Sequence, residues 1–421
     1  MFIEKALLSY EDEPLKSAFA FKGNALTYLR QSVVMLSGEG ECGVGVGVQS
    51  VLWSDSAVFA KYGENEGNRL MLSLTEFAAK SIEGKEFKGP VDIIDKIFDE
   101  CYLYAKEITG LDVKKTFVLN ALVPLDFAAW SLYSRLAGRM NFDDVYRGVC
   151  KNDKLVNIPL ITYGTSIDEV IKMAKSGTSI FKVKIGADPE KDGDPEKMLE
   201  WDKARALEIF DALKDIKTEH TETGKIVYYF DANGRYDTKE RLLCLIDFLR
   251  EKGILENTIL FEEPFPEDKK IYIGDIPVCF AADESAHSIE DVKERIALGY
   301  KAITLKPIAK TLSVTMKMAE YAYSAGAQFF CADLTVNPVM LEWNKNFAAR
   351  TMPLKGMKIG VVESNGAQNY VNWERMKSYL PDVASAEGNG VIYRLDEKFY
   401  NSSVFENPLH YSEIIKNTER R

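Results

Sequence analysis

Between residues 226 and 306 four short apolar runs each carry a charged group at the C-terminal end. The runs lie in IVYYFDANGRY, ILFEEPFPED, VCFAADES and YKAITLKP, and the charged groups are Asp231, Glu262, Asp283 and Lys306. Three anions held close together are costly unless a cation joins them. All-oxygen ligation without a nearby cysteine or histidine favours Mg²⁺, with Mn²⁺ the second choice. The plainer alternative is that lysines or helix ends neutralise the three acids where they stand. Glu263 and Glu284 adjoin two of them and suit hydrogen bonding to the ligands, or a salt bridge to a neighbouring strand end.

Lys182 and Lys184, in FKVKIG, are two residues apart, so on a strand both side chains point to one face. A lysine aimed at such a site can neutralise substrate charge or act as a base when its surroundings lower its pKa. Lys306 follows four strands later and therefore falls across a barrel from Lys184. Two opposed lysines can each address one face of a carbon acid while a metal stabilises the enolate oxygen. Only His220, His287 and His410 occur, and none sits at a strand end, so a histidine base is disfavoured.

Positioning these groups requires a parallel sheet, because apolar runs of this length alternate with helical patterns. Strands are expected at 158–163, 179–185, 226–231, 258–262, 277–282, 301–305, 328–332 and 357–362, with a weak or missing helix between the fourth and fifth. An α/β barrel places its chemistry at the C-terminal strand ends, as here. Before the barrel, 1–65 reads as antiparallel strands with a turn at Gly38-Glu39-Gly40, and 71–140 as helices. Gly43, Gly45 and Gly47 invite a dinucleotide-binding reading, which fails because they alternate within a strand and no phosphate-binding helix follows. The expected organisation is an α+β domain over 1–140, a barrel over 150–365, and a segment over 366–421 whose strand, NGVIYRLD, returns to the first domain.

The net charge of −11 argues against nucleic acid or an anionic membrane surface as partner. No apolar run approaches the length of a membrane span, no secretory leader is evident, and the six scattered cysteines suit a reducing compartment, so a cytoplasmic location is expected.

Together FKVKIG, FDANGRY, FEEPFP, AADES and TLKP resemble the enolase superfamily, in its muconate lactonizing enzyme-like subgroup. The resemblance spans the barrel from 160 to about 363 and, more loosely, ALVPLDFAAWSLYSRLAG before it. It implies a modified (β/α)₇β barrel closed by an N-terminal α+β capping domain. It implies Asp231, Glu262 and Asp283 as Mg²⁺ ligands, Lys184 and Lys306 as acid/base groups, and Lys182 as support for Lys184 and the substrate carboxylate. It further implies a mobile covering loop, here residues 14–24 with Phe19 and Phe21, and substrate-binding or charge-balancing groups at the last strand ends, here Asp333 and Glu363. Asp333 has a second reading as a helix N-cap. The long segment between Lys184 and Asp231 departs from the pattern and is expected to serve as a lid or an oligomer contact; a homo-oligomer is implied by the resemblance alone.

The implied activity is abstraction of the α-proton of a carboxylate substrate, with racemisation or epimerisation of an amino-acid or dipeptide derivative as the leading outcome. The rivals are dehydration like that of o-succinylbenzoate synthase, cycloisomerisation, sugar-acid dehydration, and a relative that kept the fold without the chemistry.

Overall fold

The structure, a computed structural model, describes residues 1–21, 24–380 and 390–419. The N-terminal region contains β1 (Phe2–Ile3), β2 (Lys5–Phe21), β3 (Asn24–Gly38), β4 (Glu41–Gln49) and β5 (Lys85–Glu86). Strands β2, β3 and β4 form an antiparallel meander, and β1 pairs with β5. Glu39 and Gly40 turn the chain from β3 to β4 with φ values of 54° and 85°, the left-handed pair that a two-residue hairpin requires.

The glycines of β4 have a packing reason. A Cβ on Gly43 would come within 2.2 Å of the Leu132 nitrogen, and one on Gly45 within 2.2 Å of the Ala128 nitrogen. Helix Lys115–Ala137 therefore lies directly on the strand backbone, which only glycine permits. That helix is, among the described residues, the one long and apolar enough to cross a membrane. Contrary to the sequence expectation it reaches that length, but 94% of its apolar window is buried inside the protein. Helices Ser56–Ile82 and Pro90–Thr109 pack beside it.

Two local expectations are corrected here. Residues 14–21 are not a loose loop: β2 continues through them, pairing Pro14 with Tyr28 and, after a register shift, Phe19 with Leu26. Of the covering loop, residues 22–23 and the side chains of Phe19 and Phe21 lie outside the described residues. The SVLW stretch, expected to extend the strand, instead turns into a short helix, Val51–Ser54.

The barrel strands are β6 (Lys154–Ile158), β7 (Leu160–Ile161), β8 (Ile180–Lys184), β9 (Val227–Asp231), β10 (Thr258–Glu262), β11 (Phe280–Ala282), β12 (Ala302–Leu305), β13 (Gln328–Cys331) and β14 (Gly360–Glu363). Pro159, with no N–H to donate, divides the first strand into two pieces. Its lower half β6 pairs with β14 and its upper half β7 with β8, so the split strand closes a parallel barrel. Among the described residues no helix joins β10 to β11, as the weak pattern there foretells. The long segment after Lys184 supplies the helix Pro195–Leu213, packed between the helices of the neighbouring repeats. This is the ordinary place of a barrel helix.

The C-terminal strand β15 (Ile392–Arg394) corrects another expectation: it pairs antiparallel with β6 of the barrel, not with the first domain. The last helix, Leu409–Glu419, does reach that domain, with His410 Nε2 3.0 Å from the Glu11 carboxylate on β2.

Inside the barrel, alternation sorts the side chains by height. Ile180, Val227, Leu260, Ala281, Ala302, Phe330 and Val361 form one buried apolar core. Two residues further along several of these strands the inward position becomes Lys182, Tyr229, Glu262, Asp283, Thr304 or Glu363. The lower barrel is a packed core and the upper rim is charged.

Candidate active site

The rim is assembled by register. Asp231 pairs across the sheet with Lys184 on one side and Glu262 on the other, so three charged residues sit side by side on β8, β9 and β10. Just beyond the strand ends the backbone leaves the common regions: Asn233, Glu263 and Thr311 have φ values of 44°, 38° and 66°. Non-glycine residues in this region cost conformational energy and cluster where side chains must be aimed.

On one side of the rim a single ammonium serves three carboxylates. Lys182 Nζ lies 3.0 Å from Asp231 Oδ2, 3.0 Å from Glu262 Oε1 and 3.3 Å from Glu363 Oε2. Glu262 Oε2 accepts from the Tyr229 hydroxyl at 2.6 Å and the Thr304 hydroxyl at 3.3 Å. Lys184 Nζ is 2.6 Å from Asp231 Oδ2 and also donates to Asn233 Oδ1. Burial opposes the charge on every one of these groups. Lys182 and Lys184 nevertheless overcome it at Asp231 and hold its carboxyl down to about 2. At Glu262 burial wins, reinforced by the negative charge of Asp231 and Asp283, and its pKa is raised well above the usual range. Lys182 is also buried, yet the three carboxylates raise its pKa.

Across the rim the proportions reverse. Asp283 Oδ2 lies 2.6 Å from Lys306 Nζ, and Asp283 Oδ1 lies 3.0 Å from Lys310 Nζ. Lys310 is fully buried and donates also to the carbonyls of Asp283 (2.6 Å) and Ala286 (2.9 Å). Against the cost of burial, the two ammonium groups hold the Asp283 carboxyl far below the ordinary range. Lys306 is buried too, but Asp283 keeps it protonated by raising its pKa. The Trp53 ring of the capping domain lies over the Lys306 ammonium, 4.5 Å from ring centroid to Nζ.

The remaining candidates fall at varied distances from this centre. Glu263 accepts three hydrogen bonds through Oε2, from the Asp283 and Ser285 amides and the Ser285 hydroxyl, and Glu284 accepts from Asn233. Glu363 joins the lysine cluster directly. Asp333 does not cap the following helix; Asn337 does, accepting from the Met340 amide at 2.9 Å. Asp333 instead ties two loops, accepting from the Val336 and Asn365 amides, and burial with the nearby Glu363 pushes its pKa to about 6. His287 is held against Asp291, with its Nδ1 3.3 Å from Asp291 Oδ2.

Sequence reasoning passed over Lys310, Asn233, Tyr229 and Trp53. Tyr229 was readable as the inward residue two before Asp231, and Asn233 as the second residue after it. Lys310 lies one helical turn beyond Lys306, a spacing that carries a signal only once a helix is known to start there. Trp53 carried none, because its contact joins residues far apart in the chain.

The site's fit to a divalent cation divides into chemistry and placement. The donors suit Mg²⁺: carboxylate oxygens from three adjacent parallel strands, two of which already share one positive charge, that of Lys182. As arranged, lysines meet those oxygens, and among the described residues no group of three or more His, Cys, Asp or Glu side chains is placed to hold a metal. The plainer alternative, neutralisation by lysines, is thus the arrangement seen.

The fold is a capped α/β barrel with its charged rim facing the cap, and it is shared with solved proteins that include a member of the enolase superfamily from Listeria innocua. No protein-family model matches the chain, and no curated protein matches it. Solved structures do match over nearly the whole length. An N-succinyl Arg/Lys racemase from Bacillus cereus superposes with a TM-score of 0.68 at 15% identity, covering 99% of this chain and 98% of that one. An L-Ala-D/L-Glu epimerase from Bacillus subtilis gives 0.67 at 15% identity, with 94% and 96% covered. A dipeptide epimerase from Enterococcus faecalis, complexed with Mg and L-Leu-L-Tyr, gives 0.66 at 15% identity, with 96% and 99% covered.

Proposed function

We propose that the protein is an enzyme that removes and returns the α-proton of a small carboxylate substrate, acting as a racemase or epimerase of an amino-acid or dipeptide derivative. The observation that carries this reading is the opposition of Lys184 and Lys306. Lys184 ends β8 and Lys306 follows β12, which lie halfway round the barrel from each other, and each ammonium rests on its own aspartate. One lysine then takes a proton from one face of the α-carbon while the other delivers a proton to the opposite face. The racemase and epimerases that share the fold support this outcome over loss of water.

The starting protonation states follow from the contacts. Lys306, protonated and held by Asp283, is poised as the proton donor for one direction of reaction. Lys184 is the partly open member of the pair, its side chain 14% exposed against 4% for Lys306. Lys182 holds positive charge at the base of the pocket, where a substrate carboxylate would otherwise meet Asp231, Glu262 and Glu363. We assign Mg²⁺, with Mn²⁺ as a substitute, to Asp231, Glu262 and Asp283; when bound it supplies charge stabilisation to the enolate oxygen. The Mg in the Enterococcus faecalis complex supports that assignment. The unpaired state of all six cysteines accords with a reducing, cytoplasmic setting.

Incubation of N-acylamino acids and dipeptides in D₂O tests the reading. Deuterium entering the α position with inversion is the expected result. Net loss of water with an alkene product would transfer the assignment to a dehydratase. Full activity in both K184A and K306A would end the two-lysine mechanism.

A further inference from the structure

A cavity of about 230 Å³ opens where the capping domain meets the barrel, beside the lysine cluster. Its inner wall includes Asn233, Glu263 and Glu284, and Lys114 of the capping domain and Glu267 also line it. Glu263 is 1% exposed and Glu284 5%. Each uses one carboxylate oxygen inside the protein: Glu263 Oε2 takes three donors, and Glu284 Oε1 takes Asn233 Nδ2 at 2.9 Å. The other oxygen of each, Glu263 Oε1 and Glu284 Oε2, is buried and accepts no hydrogen bond from any described residue.

Three buried carboxylate oxygens without donors beside one cavity, the third being Glu267 Oε2, are unusual, because buried acceptors are nearly always met. The cations nearby do not meet them. Lys114 is committed to Glu267 Oε1, and Arg235, another wall residue, donates to neither glutamate. The cavity has room for a group larger than one water molecule. Among the described residues no set of three or more His, Cys, Asp or Glu side chains there could hold a metal.

We propose that this cavity is a subsite for a primary ammonium group on the substrate, received by Glu263 Oε1 and Glu284 Oε2. An alkylammonium brings three donors and a positive charge on an apolar stem, which answers both oxygens and occupies the volume. The subsite adjoins the reacting centre through one side chain: Asn233 donates to Glu284 and accepts from Lys184. A substrate anchored there by its ammonium end extends from Glu284 past Asn233 toward Lys184. In its link to the reacting end the proposal rests on the enolising role assigned above; the ammonium binding itself does not.

Calorimetric titration of the full chain with pentylammonium chloride at about pH 9, where the Glu263 carboxyl is ionised and the alkylammonium is still protonated, tests it, with 1-pentanol and MgCl₂ as separate titrants. Saturable binding of pentylammonium, absent for pentanol and weakened at least about tenfold in E284Q and in E263Q, is the expected result. Pentylammonium binding no better than pentanol would overturn the proposal, a comparison that needs no variant to fold. So would undiminished binding in both variants, or a site filled by MgCl₂ and closed to the ammonium. Deuterium exchange, measured separately, keeps the two readings apart. Exchange without ammonium binding removes the subsite alone, and ammonium binding without exchange removes the enolising role alone.

Discussion

Lys182 is one ammonium divided among three carboxylates, whereas Asp283 is one carboxylate held between two ammonium groups. Both clusters are buried on the same rim, yet their electrostatics run in opposite directions. The first leaves Glu262 resisting ionisation, and the second drives Asp283 far below its ordinary pKa. The acid-rich side has room for added positive charge. The lysine-rich side has room for added negative charge. A substrate carboxylate and a divalent cation would each find the imbalance suited to it, without any net change in the protein.

The largest effect expected is on catalysis. K184A and K306A should each reduce α-deuterium exchange by about 10²–10⁴-fold, the usual range for a lost acid/base group. Equal losses would mark the lysines as true partners. A loss in one only would turn the opposite lysine into a charge holder and favour a one-base reaction.

Stability should separate the two clusters next. K182M removes the one ammonium shared by three buried carboxylates, leaving Asp231 with Lys184, and Glu262 and Glu363 with no lysine, and is expected to cost about 3–5 kcal/mol in urea denaturation. K310M leaves Asp283 with Lys306 and should cost less, about 1.5–3 kcal/mol. If K310M proved the more damaging, the contrast between an acid-rich and a lysine-rich side would be wrong. Y229F removes only the hydroxyl donor to Glu262 and should cost about 1 kcal/mol by the same measurement.

A smaller effect is a pair of pH limbs of opposite sign. The Asp231 carboxyl, lowered from 3.8 to about 2, contributes stability that is present above its ordinary pKa and lost as pH falls from about 4 to 2. Glu263 runs the other way: burial and Glu284 raise it from 4.5 to about 8. Its contribution is full below about 4.5 and is lost as pH rises toward 8. Thermal unfolding across that range should show the alkaline decline flattened in E263Q and the acid decline unchanged. Loss of both limbs in E263Q would contradict the independence of the two groups.

Much of this arrangement was readable from residue order. Alternation with a period of two marked the strands, and their ends marked the rim, because inward positions change from Ile180 and Val227 to Lys182 and Asp231 within one strand. The match of charge to charge was not readable. Whether three acids meet a metal or a lysine depends on where Lys182 points in depth, and a strand pattern gives side but not height. The looser reading of residues 14–21 failed for another reason. Pro14 and the small residues after it look like a break, but pairing with β3 carries the strand past them. β15 joined the barrel because β6 offered an open edge below Pro159, a feature of the closed sheet and not of any local sequence.

The contact between Trp53 and Lys306 has a consequence outside chemistry. An indole stacked on an ammonium reports that ammonium's charge in its fluorescence, and the chain has 5 tryptophans, of which this one touches the rim lysine from the cap. Light emission from Trp53 would therefore register, in one signal, both the proton on Lys306 and the seating of the cap above it. The protein would then carry its own optical gauge of the step proposed for its two lysines.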